Sequence, residues 1–350
     1  MPTLSQRIKR TALDLGFNLV GITPARPSQR LDAYLRWLDA GYHGEMVYLA
    51  REDRLARRRD LNVILPGVRS LAVVGLDYTT VQLPAGIADD PARGRVSNYA
   101  WARDYHEVMI PRLEELAARV RSWLDRPLAH RVYVDTGALL ERDHAGQAGL
   151  GFVGKNTMLI HPRRGSYFFL GELLLDVEFE YDEPQTGVGC GTCTRCLVAC
   201  PTDAFPEPYV LDATRCISYL TIELKGTIPP DLRPLMGNWV YGCDACQIPC
   251  PWQRFAIQTH ESAFYPPDPD RAAPPLAELL ALDEAAFAGR FDGSPIRRIG
   301  RDRLVRNACV AAGNSDLRVF LPILAALANE DPSPLVREHA AWAAERLRVV

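Results

Sequence analysis

The chain has 350 residues, of which 47% are hydrophobic and 24% are charged, and its formal net charge at pH 7 is -3. This length allows two or three domains, and this charge excludes a protein that is basic throughout, although it permits a local basic surface. No apolar run approaches the roughly 18 residues of a membrane span, and the N-terminus lacks the apolar core of a signal peptide. We therefore expect a cytoplasmic protein with no membrane partner, and a monomer by default.

Residues 1–185 alternate helical stretches with short apolar strands. The stretches LDAYLRWLDAGYHGEMVYL and HEVMIPRLEELAARVRSWLD have helical periodicity. The stretches SLAVVGLDY and HRVYVDTG are typical of buried strands, because they are rich in Val and Leu and end at Asp or Gly. This alternation predicts an α/β or α+β domain over residues 1–185.

The stretch GLGFVGKNT, residues 149–157, matches the dinucleotide pattern G-x-G-x-x-G and nearly matches a Walker A loop. A dinucleotide fingerprint must leave a strand and open a helix. Here the preceding LLERDHAGQA predicts a helix, and the following TMLIHPRRGSYFFLGELLLD predicts a pair of strands. Asn156 also stands where a Walker A loop needs Ser or Thr for magnesium. A nucleotide site is therefore disfavoured, and the glycines indicate close approach of the main chain to another flat or bulky ligand.

The nine cysteines indicate metal or redox chemistry, because disulfides are disfavoured in the cytoplasm. The run CGTCTRCLVACP has the bacterial ferredoxin spacing, in which the fourth cysteine serves the other cluster. The run CDACQIPCP is one cysteine short, and Cys216 completes the eight thiolates that two 4Fe-4S clusters need. We assign one cluster to Cys190, Cys193, Cys196 and Cys250, and the other to Cys200, Cys216, Cys243 and Cys246. Structural zinc is a disfavoured alternative, and Cys309 is expected to be a small core residue.

The composition changes after residue 185. Residues 186–260 contain the eight cysteines, are rich in Pro and Gly, and predict a ferredoxin-like domain. The stretch FYPPDPDRAAPP, residues 264–275, predicts a linker. Residues 276–350 are rich in Ala and Leu, and their helix–break–helix pattern predicts an all-α HEAT-like domain.

Iron–sulfur clusters transfer single electrons, so the N-terminal domain is expected to hold the centre that receives them. Flavin, haem and cobalamin are the candidates, and haem lacks a C-x-x-C-H attachment motif. One class of cobalamin proteins marks its axial histidine with D-x-H-x-x-G. Asp104 and His106 begin this pattern, but Met109 replaces the glycine, so His106 is a poor candidate for the axial ligand.

Several motifs together resemble the epoxyqueuosine reductase family: VDTGALLER, GLGFVGKNTMLI, GSYFFLGELL, the ferredoxin run, CISYLTIELKGTIP, GCDACQIPCPW and SPIRRIGRDRLVRNACVAAGN. They lie in the family's order between about residues 58 and 314. The resemblance implies a cobalamin-dependent enzyme, similar in its cofactor domain to reductive dehalogenases. Such an enzyme reduces epoxyqueuosine at the tRNA wobble position to queuosine. Cobalamin thus becomes the expected ligand of the glycine-rich loop.

The resemblance also implies roles for individual residues. Asp135, in VDTG, matches the family's catalytic acid, which would protonate the epoxide oxygen. The alternative for Asp135 is a residue that only makes the turn after its strand. The expected cobalamin contacts are Arg58, Asp135, Lys155, Asn156, Thr157, Glu223 and Asp244. Ordinary surface salt bridges are the alternative for Arg58 and Glu223.

Five arginines within ten residues predict a phosphate-binding surface for the anticodon arm of tRNA. They are Arg297, Arg298, Arg301, Arg303 and Arg306, and Lys225 is expected to contact the same arm. The spacing places Arg297 and Arg301 on one helix face, and Leu304 and Ala308 on the buried face. By resemblance, the substrate tRNAs have a G-U-N anticodon, and a low-potential electron donor is required.

Two other functions fit part of the sequence. A dehalogenase-like reductase of a small molecule explains the clusters and cobalamin, but it leaves the C-terminal arginines unused. A non-enzymatic electron carrier explains the clusters, but it needs neither Asp135 nor a large cofactor domain.

Overall fold

The structure, a computed structural model, describes residues 2–349. Its α-helices are α1 Leu4–Asp14, α2 Leu31–Asp39, α3 Glu52–Arg59, α4 Ala85–Ala88, α5 Tyr105–Arg121, α6 Glu141–Gln147, α7 Arg195–Val198, α8 Ile217–Ile222, α9 Pro269–Ala272, α10 Leu276–Leu280, α11 Glu284–Arg290, α12 Gly300–Gly313, α13 Leu321–Glu330 and α14 Pro334–Val349. Its strands are β1 Leu19–Pro24, β2 Ser70–Asp77, β3 Arg95–Val96, β4 His130–Tyr133, β5 Phe152–Val153, β6 Leu159–Ile160, β7 Phe168–Leu175 and β8 Trp239–Tyr241. Short 3-10 turns connect many of these elements.

The main sheet has four strands in the order β1-β2-β7-β4, and all its neighbours pair antiparallel. Every residue of β2 is buried, as its continuous apolar run predicts. In contrast, β4 is a partly exposed edge strand and not the buried strand that HRVYVDTG predicts. An antiparallel sheet with helices packed on its faces makes this region α+β.

Helices cover both faces of this sheet. One face packs against α1 and α5, and the aromatic side chain of Phe169 belongs to this layer. The other face packs against α6 and the 3-10 turn Leu61–Val63, where Leu174 is fully buried. The sheet therefore holds the end of β4, the start of α5 and the start of α6 close together, and these three places carry the candidate catalytic side chains.

The C-terminal helices share one core with part of the N-terminal half. Helix α14 packs against both α12 and α13. Val96 of β3 and Tyr241 of β8 are buried in the same cluster as these helices. The HEAT-like grouping and the boundaries 1–185, 186–260 and 276–350 stay predictions.

The proline-rich stretch 264–275 is packed against the body of the protein and is not an exposed linker. Ala272 and Ala273 are only 1% and 2% exposed. The main-chain N–H of Gly94 donates to Pro274, and the N–H of Leu276 donates to Ala92. Pro274 and Pro275 fix an extended backbone at the end of the stretch, and that backbone pairs with residues 92–94. Within residues 2–349, no helix is both long enough and apolar enough to cross a membrane.

Candidate active site and iron–sulfur centres

The first set of thiols surrounds a single cavity. Cys190, Cys193, Cys196 and Cys250 line a space of about 250 Å³, together with Trp252. Burial raises the pKa of Cys196, and the neighbouring thiols of Cys190 and Cys250 raise it further. The thiol from the second run therefore joins the three thiols of the first, as the ferredoxin spacing requires.

The second set of thiols lies around the start of α8. Burial raises the pKa of Cys246 well above its ordinary value, and Cys216, Cys243 and Cys200 raise it further. Cys200 likewise raises the pKa of Cys216. Across residues 2–349, no three Cys, His, Asp or Glu side chains could hold one metal ion. A cubane needs a different arrangement, because each of its four thiolates binds a separate iron.

Lys155 and Asn156 contact the cysteine loops. The main-chain N–H of Lys155 donates to Sγ of Cys190 at 3.4 Å, and its Nζ donates to the carbonyls of Gly191 and Cys193 at 2.8 and 3.0 Å. Asn156 is buried, and its Nδ2 donates to the carbonyl of Cys246 at 3.2 Å. Both side chains therefore help to hold the thiol loops, and their predicted cobalamin contacts stay predictions.

The glycine-rich loop approaches the protein's own backbone. A Cβ at Gly151 would lie 2.4 Å from the carbonyl oxygen of Ile160 in β6. The glycine is therefore needed for the tight β5–β6 hairpin, which is a different reason from the predicted approach to a ligand. Thr157, at the tip, has a φ of +64°, and its carbonyl accepts a hydrogen bond from Arg142.

Asp135 lies just beyond β4 with an exposed side chain and a φ of +60°. Positive φ is uncommon for a residue other than glycine and indicates a conformation held by its surroundings. Its Oδ2 accepts a hydrogen bond of 2.8 Å from the hydroxyl of Tyr105, the first residue of α5. The Tyr105 ring stacks on Phe169 of β7, with ring centroids 4.2 Å apart. The sheet and α5 therefore fix the position of this carboxylate.

Three more predicted or adjacent groups lie around Asp135. Burial raises the pKa of Glu223, and the carboxylate of Asp135 raises it further. Burial raises the pKa of Tyr48 to about 12, and both of these carboxylates contribute to that shift. Arg54 donates from its guanidinium to the carbonyl of Thr136 at 3.0 Å. The structure thus brings Asp135 and Glu223 into one region of the surface, with Tyr48 and Arg54 at its edge.

Arg58 lies behind this edge and is only 4% exposed. Its guanidinium stacks over the ring of Tyr34 at 4.8 Å. Burial lowers its pKa, although the neighbouring Tyr34 opposes that shift. Among the described residues its buried Nε has no hydrogen-bond partner. Arg58 also forms no salt bridge within residues 2–349, which argues against the surface salt bridge that was its alternative role.

Two glutamates extend the site behind Asp135, and one of them is fully buried. Glu172, in the middle of β7, has 0% exposure, and Glu141 begins α6. Burial raises the pKa of Glu141 to about 8, and the Asp135 carboxylate contributes to that shift. Sequence analysis missed this pair. The signal was a single acid in the otherwise apolar strand FFLGELLL.

Asp244 is buried against the turn that follows β3, and its predicted contact with the cofactor stays a prediction. It is 5% exposed, and its two oxygens accept hydrogen bonds from the Ser97 hydroxyl at 2.5 Å and the Asn98 N–H at 2.8 Å. Both carboxylate oxygens therefore hold the turn that follows β3.

The five arginines do not form one exposed surface. Arg301 is 7% exposed and makes a bidentate pair with Asp331, at 2.9 and 2.5 Å. Arg306 is 0% exposed and donates to the carbonyls of Leu220, Leu224 and Gly226. The predicted phosphate contacts of these two arginines are therefore wrong.

The end of α8 explains why Arg306 is buried. The last carbonyls of a helix have no partner within it. Arg306 donates to Leu220, Asn307 donates to Thr221, and Arg303 donates to Ile222. Helix α12 thus caps α8, and α8 leads directly to Glu223.

Arg297 and Arg298 are the members of the motif with exposed side chains. Their side chains are 52% and 45% exposed, and they pair with Asp292 and Asp104 respectively. Arg297 lies in the 3-10 turn before α12, so it does not share a helix face with Arg301. Lys225 is exposed, and its main-chain N–H donates to Glu45.

The paired thiol sets, beside an α+β domain with a fixed carboxylate, define an iron–sulfur protein with two 4Fe-4S clusters. A family model described as a 4Fe-4S double cluster binding domain matches residues 189–253. The model of the epoxyqueuosine reductase QueG family matches residues 58–136, which include Arg58 and Asp135.

Known relatives extend this match over the whole chain. Epoxyqueuosine reductase from Pseudomonas aeruginosa is 45% identical, over 98% of this chain and 94% of the relative. The Escherichia coli enzyme is also 45% identical, over 97% and 88%. A crystal structure of epoxyqueuosine reductase with an epoxyqueuosine-modified tRNA-Tyr stem loop has a TM-score of 0.89 and 32% identity, covering 98% of this chain and 90% of that one. The chain belongs to the epoxyqueuosine reductase family.

Proposed function

We propose that this protein reduces epoxyqueuosine to queuosine at the wobble position of tRNA. The relative solved with an epoxyqueuosine-modified stem loop carries this proposal, because its fold matches nearly the whole chain. Asp135, held by Tyr105, and the two thiol sets supply the acid and the electron path that such a reduction needs. A cytoplasmic monomer remains part of the proposal.

Electrons enter at the first thiol set in this proposal. Its cavity is lined by Trp252 and Arg254 at the protein surface, and Val198, between Cys196 and Cys200, is 82% exposed. The second set lies further inside, where Cys216 precedes α8 and Glu223 follows it. A helix rises 1.5 Å per residue, so roughly 10 Å separates these two residues. A low-potential donor outside the protein supplies the electrons.

The residues around Asp135 fit cobalamin. Arg58 offers a buried Nε with no partner within residues 2–349, and Glu223 offers a carboxyl group. Val47 and Tyr48 leave an exposed apolar surface of 67% and 39% at the same edge. Polar groups next to an exposed apolar surface suit a large flat ring that carries amide side chains. Cobalamin, when bound, would supply the low-potential electrons for breaking the carbon–oxygen bonds. Thr157 stays a proposed contact.

Asp135 is the proposed acid. An epoxide oxygen leaves poorly as an alkoxide, so a positioned carboxylic acid that protonates it accelerates cleavage by about 10²–10⁴-fold. Tyr105 orients this acid by its 2.8 Å hydrogen bond to Oδ2. The other oxygen, Oδ1, is then free to carry the proton toward the substrate.

The tRNA contacts follow from the exposed cations. Arg297, Arg298 and Lys225 have side chains at the surface, and the first two flank the start of α12. They would bind phosphates of the anticodon arm, while the unstacked wobble base reaches Asp135. Arg303 and Arg306 act indirectly by holding the end of α8 in place, and Arg301 pairs with Asp331. Recognition of G-U-N anticodons remains part of the proposal.

A direct assay tests the proposed reaction. The reconstituted protein is incubated without oxygen with epoxyqueuosine-containing tRNA and a low-potential reductant, and the nucleosides are analysed by mass spectrometry. The wild type should remove one oxygen from the modified base, and Asp135→Asn should lower the rate by about 10²-fold or more. Asn tolerates the positive φ of this position, so the variant should fold. Equal rates for both proteins would refute the role of Asp135.

A further inference from the structure

Glu141 and Glu172 lie between the sheet and α6, in an apolar layer that contains Leu139 and Leu174. Strand β7 pairs Glu172 with Tyr133 of β4, two residues before Asp135, and helix α6, which begins at Glu141, packs against β7. Within residues 2–349, Oε1 of Glu141 and both oxygens of Glu172 are buried without a hydrogen-bond partner. A carboxyl group buried without a partner favours its neutral, protonated form.

The surroundings favour the protonated form. Burial raises the pKa of Glu172 well above its ordinary value, and Glu141 and Asp135 raise it further. Arg142, the next residue on α6, opposes the shift of Glu141, but its guanidinium donates to the carbonyl of Thr157. Isolated carboxylates are costly to bury, so both carboxyl groups retain their protons at neutral pH.

The proposed reaction needs more protons than Asp135 holds. Conversion of an epoxide to an alkene breaks two carbon–oxygen bonds and releases the oxygen as water. That change consumes two electrons and two protons. The electrons come through the thiol sets, whereas Asp135 supplies one proton. A second proton must reach the oxygen before water can leave.

We propose that the Glu141–Glu172 pair stores this second proton and transfers it to Asp135. The inference rests on the proposed function. An O–H bond of Glu141 breaks as an O–H bond forms on the Asp135 carboxylate, and the proton of Glu172 then replaces the one lost from Glu141. Glu141 is partly exposed, so solvent water supplies the next proton to it.

The contacts around Asp135 support Glu141 as the donor. The pairing of β4 with β7 and the packing of α6 on β7 bring the two residues together, and after burial the Asp135 carboxylate is the main influence that raises the pKa of Glu141. Tyr105 also bonds to Asp135, but burial and the Asp135 charge raise the pKa of this phenol far above its usual range. Tyr105 therefore orients the acid, whereas Glu141 has a proton that it can give up.

Two isosteric variants test the reserve. Glu141→Gln and Glu172→Gln keep the side-chain shape and remove the transferable proton. Single-turnover rates of oxygen loss, measured from about pH 6 to 9, should be at least about tenfold lower at pH 8 in both variants. In Glu172→Gln the rate should also begin to fall at a lower pH than in the wild type. Iron content and tRNA affinity should stay unchanged.

Asp143→Asn is the matched control. Asp143 is buried on the same helix, but its carboxylate pairs with Ser28 and Arg30, away from Asp135. This variant should keep the wild-type pH profile. If the two glutamine variants also keep it, the proton reserve is refuted, even though the reduction itself stands.

An infrared measurement tests the reserve without turnover. The carbonyl stretch of a protonated carboxylic acid should be visible in the wild type at neutral pH and should weaken in Glu172→Gln. Absence of that band in the wild type would overturn the inference. If the wild type shows the band but fails to convert epoxyqueuosine, the proposed function fails while the stored proton remains established.

Discussion

The hydroxyl of Tyr105 donates a 2.8 Å hydrogen bond to Oδ2 of Asp135. This bond links the start of α5 to the turn after β4, which are far apart in the chain but adjacent across the sheet. Because Asp135 has an exposed side chain and a positive φ, this contact largely determines where its carboxylate points.

Loss of this hydroxyl should slow the reaction without unfolding the protein. Tyr105→Phe keeps the ring that stacks on Phe169 and removes the bond to Asp135. A hydrogen bond to a charged group contributes about 1.5–3 kcal/mol. The single-turnover rate should therefore fall between about tenfold and 100-fold. Tyr265→Phe, which removes a hydroxyl bonded to the carbonyl of Thr259, should leave the rate unchanged. A wild-type rate in Tyr105→Phe would contradict this role.

The buried arginines should act on stability. Arg301→Ala leaves Asp331 buried and unpaired, so the free energy of unfolding should fall by about 3–5 kcal/mol. Chemical denaturation measures this change. A variant that unfolds at the wild-type denaturant concentration would show that the Arg301–Asp331 pair is not formed in solution.

The exposed arginine should act on tRNA binding. Arg297→Ala should leave the free energy of unfolding within about 0.5 kcal/mol of the wild type. It should weaken tRNA binding and lower the salt dependence of the binding constant. Arg10→Ala, on the exposed side of α1, is the control. Equal effects of both substitutions on tRNA affinity would contradict a specific contact at Arg297.

The two thiol sets predict a clear pattern of iron loss. Cys216→Ala and Cys250→Ala should each lower the iron content by about half, because they remove ligands from different clusters. Cys309→Ala should retain all the iron, since Cys309 is buried in the helical core with 0% exposure. Iron analysis and electron paramagnetic resonance would show which cluster is lost. Retention of both clusters in Cys216→Ala would contradict the assignment.

The buried Glu172 carboxyl should make stability depend on pH. The folded protein keeps a proton on Glu172 that the unfolded chain releases above about pH 4.3, the ordinary value for Glu. Unfolding therefore releases a proton, and this residue lowers stability as the pH rises above that value. Glu172→Gln removes the dependence. The melting temperature of Glu172→Gln minus that of the wild type should therefore be larger at about pH 8 than at about pH 5. A pH-independent difference would contradict the raised pKa.

The sequence predicts the thiol chemistry well because the spacing of cysteines is nearly sufficient to specify their partners. It also predicts β2, since a long run of Val and Leu is typical of a buried strand. It fails for Arg301 and Arg306, because their partners are Asp331 and the end of α8. A cluster of arginines looks the same in sequence whether its partners are phosphates or distant carbonyls.

The glycine-rich loop and Glu172 illustrate the same limit. Gly151 is required by the carbonyl of Ile160, a contact that only the β5–β6 hairpin creates. Glu172 is chemically prominent only because the sheet places Glu141 and Asp135 beside it. Local patterns predict elements, whereas the pairing of side chains across elements decides which residues form the site.

The most direct test of the central proposal is the mass of the modified nucleoside after anaerobic incubation with and without cobalamin. The reconstituted wild-type protein receives epoxyqueuosine-containing tRNA and a low-potential reductant in both cases. We expect loss of one oxygen from the base only when cobalamin is present. An unchanged base in a protein that holds both clusters and cobalamin would contradict the proposed substrate. Equal conversion without cobalamin would contradict the proposed cofactor.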